Sequence, residues 1–402
     1  MPKKHDYLVG LDLGSHRTRC VVALEENSRL RFISYGLAAS AGWSRGVIVD
    51  QDQALASVEK AVAQAEDNGG LLVEAAVVGV GGSHVGSQVA RGDLELNSWE
   101  RQIEQRHVDA AVKNAATGRL SNDRALLQAV PLEFTVDGQP GHRKPQGVSG
   151  RRLEAHVRLI SASAQAHNSI QAVVNRAGVV VEETIFEPFA ASHAVLDGRE
   201  REMGIAVADM GAASIELVGY LENGLELAES IPIGGDHFVN DVATLMRLQA
   251  PQAERLIEQY GCAVLDGEPR PNVMIEVPGA SGETTEPKSR KMLAEILQAR
   301  AEEVFELIHQ RVRYAGLDGR LIGGLVLTGG LALLAGICDV AEEQLDTSTR
   351  IGLPPSLEDL PDELDHPAWA TAIGLLLYSQ RLRLHQQRRR DRVADWLKTI
   401  FD

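Results

Sequence analysis

A chain of 402 residues has enough length to bury a large core and is expected to fold as two lobes. Its formal charge of −16 argues against sequence-independent nucleic-acid binding, which needs Lys and Arg to neutralise phosphates. An aromatic content of 4% beside 38 glycines favours α/β layering over an aromatic-rich all-β fold.

Taken in chain order, YLVGLDLG, TRCVVALE and RLRFISYG read as three successive strands. A helix is predicted over 51–66, where Leu55, Val58, Ala61, Val62 and Ala65 recur with a period near 3.6. AAVVGVGG is a further buried strand. Residues 84–162 then interrupt this half with two strands (LLQAVPLEFTV and RRLEAHVRLISA), a helix around 106–116 and the loop DGQPGHRKPQGVSG, and read as an inserted subdomain. A helix at 168–177 leads to the strand VVVEETI and to a helix beginning near Glu187.

The opening pattern returns at GIAVADMG, SIELVGYLENG and LELAESIPIGG, so that Asp12 aligns with Asp209 and each D-x-G hairpin starts one half of the chain. Duplication of this kind implies two similar domains facing one another. Helices follow at 235–248 and 251–260, with Pro251 suited to a first turn, then a polar loop, PGASGETTEPKSR, and a long helix over 291–314. LIGGLVLTGGLALLAG gives a buried strand and a glycine turn, and 368–384 a last core helix. The expected domains are 1–83 with 163–203, an insert at 84–162, a second core at 204–237 with 315–380, a small subdomain at 238–314, and a linker and helix at 381–402.

An Asp at the end of each apolar strand stands where nucleotide phosphates would lie. Gly14 and Gly211 let backbone N–H groups approach phosphate oxygens, and Ser15 and Ser214 offer hydroxyls. Asp12 and Asp209 would hold a hydrated Mg²⁺, a cation that keeps several waters. The alternative is two tight hairpins, each with an Asp capping its turn. Gly329 and Gly330 would let the backbone pass flat against a purine or its α-phosphate, or simply start a helix. Gly234, Gly235 and Asp236 open a predicted helix whose free amides favour anions. Glu187 could order an attacking water, or complement the macrodipole of its helix. His16 lies within the first hairpin. Neither a G-x-S-x-G elbow nor a G-x-x-x-x-G-K-[ST] loop occurs.

Cys20, Cys262 and Cys338 have no paired metal-ligand spacing and no disulfide framework, which points to a reducing compartment. The N-terminus runs straight into a strand with no secretory pattern, and no apolar run approaches the ~18–20 residues of a membrane span. Membrane contact is therefore expected to be peripheral, through RRRDRVADWLKTIFD. There Val393, Trp396, Leu397, Ile400 and Phe401 fall at i, i+3, i+4, i+7 and i+8 of one helical stripe, with Arg389 and Arg390 upstream. From Arg381 onward seven Arg/Lys face three Asp, a composition that suits the headgroups of an anionic bilayer. Docking on the protein's own body or on a protein partner is the competing reading.

With these residues together, the chain resembles the actin/hexokinase/heat-shock chaperone ATPase superfamily and, within it, the FtsA family. GLDLGSHRTR is similar to the first phosphate motif, VADMGAASIEL to the second, FEPFAASHAVL and WATAIGLLLY to the two connecting helices, and LVLTGGLALLAG to the adenosine motif. VPLEFTVDG, GVSGRRLEAHV and IPIGGDHFVNDVA are similar to stretches more particular to FtsA. The resemblance implies an actin-like α/β fold of two lobes with duplicated ribonuclease-H-like cores, an inserted FtsA-type subdomain and a C-terminal amphipathic helix. It implies ATP and Mg²⁺ as cofactors, self-association into filaments, other divisome proteins as partners, and attachment of the tubulin-like FtsZ to the cytoplasmic membrane face at the septum. Arg290 and Lys291 match the region that receives the FtsZ C-terminal tail. Ala212 and Ala213 replace the usual glycine or threonine, so hydrolysis is expected to be slow or absent. Leu331 stands at a third glycine position. Ile257 stands where a lysine near the base is common, which leaves Glu254, Arg255 and Glu258 as candidates there. A PilM-like adaptor of type IV pili and a small-molecule kinase are the other readings of the same superfamily.

Overall fold

The computed structural model describes residues 7–26, 29–96, 102–264, 273–278, 285–355 and 357–384. The tail residues Arg389, Arg390, Val393, Trp396, Leu397, Ile400 and Phe401 lie outside the described residues. The first lobe opens with β1 (Tyr7–Leu13), β2 (Arg17–Glu26) and β3 (Arg29–Ala39), a short hairpin β4 (Trp43–Ser44) and β5 (Val47–Ile48), α1 (Gln51–Gly69) and β6 (Ala75–Val80). The insert comprises β7 (Gly86–Glu95), α2 (Gln105–Ala116), β8 (Arg124–Val136), β9 (Gln139–His142) and β10 (Arg152–Ser163). The chain then returns through α3 (Ala164–Arg176), β11 (Val180–Phe186) and α4 (Glu187–Val195).

The second lobe contains α5 (Gly198–Met203), β12 (Ile205–Met210), β13 (Ile215–Leu221), β14 (Gly224–Ile231), α6 (Gly235–Met246), α7 (Ala250–Tyr260), β15 (Met274–Pro278), β16 (Thr285–Ser289), α8 (Arg290–Tyr314), β17 (Leu325–Thr328), α9 (Ile337–Leu345) and β18 (Thr349–Ile351). A last helix, α10, runs over 370–384 behind a 3₁₀ turn at Pro367–Trp369. The polar stretch expected as a loop before α8 ends in a strand, because 285–289 pairs antiparallel with 274–278.

Duplication extends beyond the hairpins to the whole sheets. Their orders, β3-β2-β1-β6-β11 and β14-β13-β12-β17-β18, match strand for strand. In both, an antiparallel hairpin lies beside a parallel strand. The central strands are buried on both faces, which is why LVGLDL and IAVADM read as continuous apolar runs. α1 is fixed at its start by the Asp50 carboxylate, which accepts from the N–H groups of Asp52 and Gln53, and at its end by Gly70 in the left-handed region. Its stripe of Ala54, Val58, Ala61, Val62 and Ala65 is buried on the first sheet. The insert carries its own sheet, β7-β10-β8-β9, and α2 buries Val108, Ala111 and Ala115 against it. No helix among the described residues is long and apolar enough to cross a membrane.

Candidate nucleotide site

Between the lobes lies a cavity of about 330 Å³, into which both D-x-G turns project. The hairpins have the same construction. Asp12 pairs across its ladder with Arg19, and Asp209 pairs across its own with Glu216, each partner seven residues on. A Cβ on Gly14 would lie 2.9 Å from the Arg17 carbonyl, and one on Gly211 would lie 2.9 Å from the Ser214 carbonyl. Both turns are therefore too tight for a side chain, and backbone is left facing the cavity. Gly329 closes a third side with φ +82, where a Cβ would strike the Met210 carbonyl at 2.5 Å. Gly330 and Leu331 continue that wall, and Ser15, Ala212, Ala213 and Gly235 line the side formed by the two D-x-G turns.

Electrostatically the floor is acidic. Asp12, Glu187, Asp209 and Glu216 all line the cavity, and Arg19 is the cation that reaches in among them, its Nη1 3.2 Å from Asp12 Oδ2. Burial, with a further push from Asp209, raises Asp12 to about 6 despite Arg19. Burial and Asp209 raise Glu216 to about 7. Burial chiefly, then Asp12, Glu216 and Asp209, lifts Glu187 well above the ordinary carboxylate range. Asp209 is raised by burial, opposed by the Thr371 hydroxyl, which donates to Oδ2 at 2.6 Å. Glu187 is wedged against the glycines that end β6: a Cβ on Gly81 would lie 2.1 Å from its Oε2.

Gly82 N–H of the first lobe crosses the cleft to donate to Glu216 Oε1 at 2.8 Å, and Ser214 Oγ, from the same hairpin as Glu216, donates to that oxygen at 2.6 Å. Ser214 thus spends its hydroxyl on Glu216 rather than offering it freely to a ligand. At the mouth, His16 Nε2 meets Asp236 Oδ1 at 2.9 Å and His16 Nδ1 lies 3.7 Å from Glu254 Oε1; hydrogen bonding to Asp236 raises the imidazole's pKa.

Glu254, Ile257 and Glu258 share the cavity face of α7 at i, i+3 and i+4. Arg255, one step out of that phase, is exposed and does not line the cavity, which corrects its expected place beside the base. Gly234 is also behind the wall rather than in it, since a Cβ there would lie 2.5 Å from the Ala212 carbonyl. Arg290 and Lys291 sit away from the cavity at the start of α8, where Lys291 pairs with Glu295 at 3.6 Å. Sequence reading missed Arg19, Glu216 and Thr371. The first two carried a signal: extending the Asp12/Asp209 alignment by seven residues lands on both.

The family model described as "Cell division protein FtsA" matches residues 206–374, and that described as "SHS2 domain inserted in FTSA" matches residues 82–161. "Cell division protein FtsA" of Borreliella burgdorferi is 32% identical over 375 residues, 92% of this chain and 90% of the relative. The chain belongs to the FtsA family of cell-division proteins. Its fold is actin-like, with the FtsA insert. A PilM–PilN type IV pilus biogenesis complex aligns with TM-score 0.69 at 15% identity, over 94% of this chain and 99% of that one. MreB 5 of Spiroplasma citri bound to AMPPNP aligns with TM-score 0.59 at 11% identity, over 96% and 99%. At such identities both likenesses concern the fold alone. In this FtsA-family chain, then, the two cores of an actin-like fold frame the acidic cavity.

Proposed function

We propose that this chain binds ATP with Mg²⁺ between its lobes, assembles into filaments, and ties FtsZ to the cytoplasmic face of the membrane at the septum. The observation that carries the nucleotide part is the pair of matched hairpins, Asp12 and Asp209, opening onto one cavity from opposite lobes. The carboxylates of Asp12, Glu187, Asp209 and Glu216 outnumber Arg17 and Arg19 in the cavity lining, an excess of negative charge that a divalent cation would relieve. Asp12 and Asp209 would hold Mg²⁺ through its waters, and the metal would supply charge neutralisation next to the phosphates. Arg19 would meet phosphate oxygens, and the tight turns at Gly14 and Gly211 would present N–H groups to them. Ala212 and Ala213 add Cβ atoms to this wall, which supports slow or absent turnover, and Glu187 would be the group that orients water.

Arg290 and Lys291, beside the exposed Met274 and Met292, would receive the FtsZ tail. The amphipathic segment from Val393 to Phe401 would supply the membrane attachment. Its five apolar side chains contribute at most ~1.5–3 kcal/mol each when fully buried. Each basic residue near an anionic leaflet adds ~1 kcal/mol. Co-sedimentation with anionic vesicles tests this reading: the full chain is expected to pellet, to bring FtsZ with it, and to release as salt rises. Trp396→Glu should leave the supernatant protein folded and unbound; a variant that still pellets removes the tail from the account.

A further inference from the structure

β14 is an edge strand of the second-lobe sheet, paired on one side with β13, and its ladder is broken where Gly219 faces Leu227 but Tyr220 faces Leu225. Glu226 is the extra residue of this bulge, and a bulge turns backbone groups out of the ladder. On the open side of β14 lies the insert. Arg158, on β10, donates from Nε to the Leu225 carbonyl at 2.7 Å and from Nη2 to the Glu226 carbonyl at 2.6 Å, while its Nη1 lies 3.2 Å from Ser87 Oγ. One guanidinium thus satisfies both carbonyls at the bulge and is itself braced on β7.

The surroundings are apolar. Leu127 and Leu132 of the insert belong to the same buried cluster as Val218, Leu225 and Ala228 of the second lobe. The insert is therefore held to the first lobe by the chain and by Gln128, which donates to the Thr184 carbonyl at 2.8 Å and accepts from Phe186 N–H at 3.1 Å, and to the second lobe by packing sealed with a charged hydrogen-bond donor. β14 also leads to the cleft. Ser230, near its end, donates to Glu216 Oε1 at 3.3 Å, the oxygen that accepts from Gly82 N–H across the lobes.

We propose that Arg158 is a clamp by which the insert holds the second lobe, and that this clamp limits how far the nucleotide cleft opens. The coupling to nucleotide rests on the ATP-binding reading above; the clamp itself does not. Two variants at this position separate the effects. Arg158→Met keeps the aliphatic stem but removes every donor, and Arg158→Lys keeps the charge with a head that cannot bridge both carbonyls. Arg91→Ala, whose 3.6 Å contact to Glu154 lies within the insert, is the control.

Hydrogen exchange on the full chain without nucleotide is the first readout. Exchange over 224–231 and at the Gly82 region is expected to accelerate about tenfold in Arg158→Met and less in Arg158→Lys. Arg91→Ala should leave both regions near wild type. ATP–Mg²⁺ should then dissociate several-fold faster from Arg158→Met. Unchanged exchange over 224–231 overturns the clamp. Faster exchange there with an unchanged Gly82 region overturns its control of the cleft. If the variants show the exchange differences but the wild type binds no ATP, the nucleotide reading is contradicted and the clamp stands. If Arg158→Met does not fold, Arg158→Lys carries the same two exchange tests.

Discussion

Asp12→Asn is expected to melt higher than the wild type at pH 8 in the absence of nucleotide, and to lose the stabilisation that ATP–Mg²⁺ confers. The reason lies in the crowding of Asp12, Glu187, Asp209 and Glu216 around one cavity. Asp12 is raised from 3.8 to about 6 in the folded chain, and Glu216 from 4.5 to about 7. A carboxylate raised by folding contributes stability that is complete below its unfolded pKa and lost as pH climbs through the folded value. The loss therefore falls between about pH 4 and pH 7, at ~1.4 kcal/mol for every pH unit that separates the unfolded from the folded value. Asparagine removes one of the charges that must form in that window. The folded value of about 6 already includes the Arg19 ion pair, so the increase is on the order of 2–3 kcal/mol at pH 8 and only a few tenths at about pH 4. Scanning calorimetry at the two pH values checks it. A variant less stable than wild type at pH 8 would mean that the Arg19 pair outweighs the crowding.

The second large effect concerns how the connecting helices meet. A Cβ on Gly374 of α10 would lie 2.1 Å from the Ala190 carbonyl oxygen of α4 and 2.9 Å from the Ala191 nitrogen, so the two helices touch backbone to backbone. On its other flank α10 meets β1, where a Cβ on Gly10 would lie 2.4 Å from the Ala372 carbonyl. Neither neighbour is the flexible end of a side chain, and one added methyl cannot be accommodated without moving a helix. Gly374→Val is expected to cost about 3 kcal/mol or more, with a lower urea midpoint and weaker ATP binding, because α10 also carries Thr371 against Asp209. Gly198→Ala, with nothing within 4 Å of its Cβ position, should be close to neutral. Equal midpoints for the two variants would mean that the helix contact yields easily.

What the sequence made legible follows from what is local. Strand runs buried on both faces, the α1 stripe and the repeated D-x-G turns announce themselves by period and residue type. The second hairpin was recognisable because Asp209, Gly211 and the flanking apolar strands repeat the first. Contacts made by backbone geometry were not legible. Nothing in WATAIGLLLY says that Gly374 rests on Ala190, and nothing in RRLEAHVRL says that Arg158 caps a bulge some seventy residues away. The β15–β16 hairpin was hidden because TEPKS has no apolar alternation; its strand character comes from pairing with Met274–Pro278. Arg255 was misplaced for a simpler reason, since a helix carries one face toward a cavity and its neighbour in sequence turns about 100° away.

The measurement closest to the central claim is calorimetric titration of ATP into the full chain at pH 7.5, with and without Mg²⁺, for the wild type and Asp209→Asn. Asp209 is held by Thr371 and faces the same cavity as Asp12, so removing its charge should cost the metal without dismantling the pocket. The expected result is one saturable site in the wild type, tighter with Mg²⁺ than without. Asp209→Asn should bind about tenfold more weakly, a change of ~1.4 kcal/mol, and with no dependence on Mg²⁺. No binding at millimolar ATP, or equal affinity with and without Mg²⁺ in both proteins, would contradict a nucleotide–metal site between the lobes.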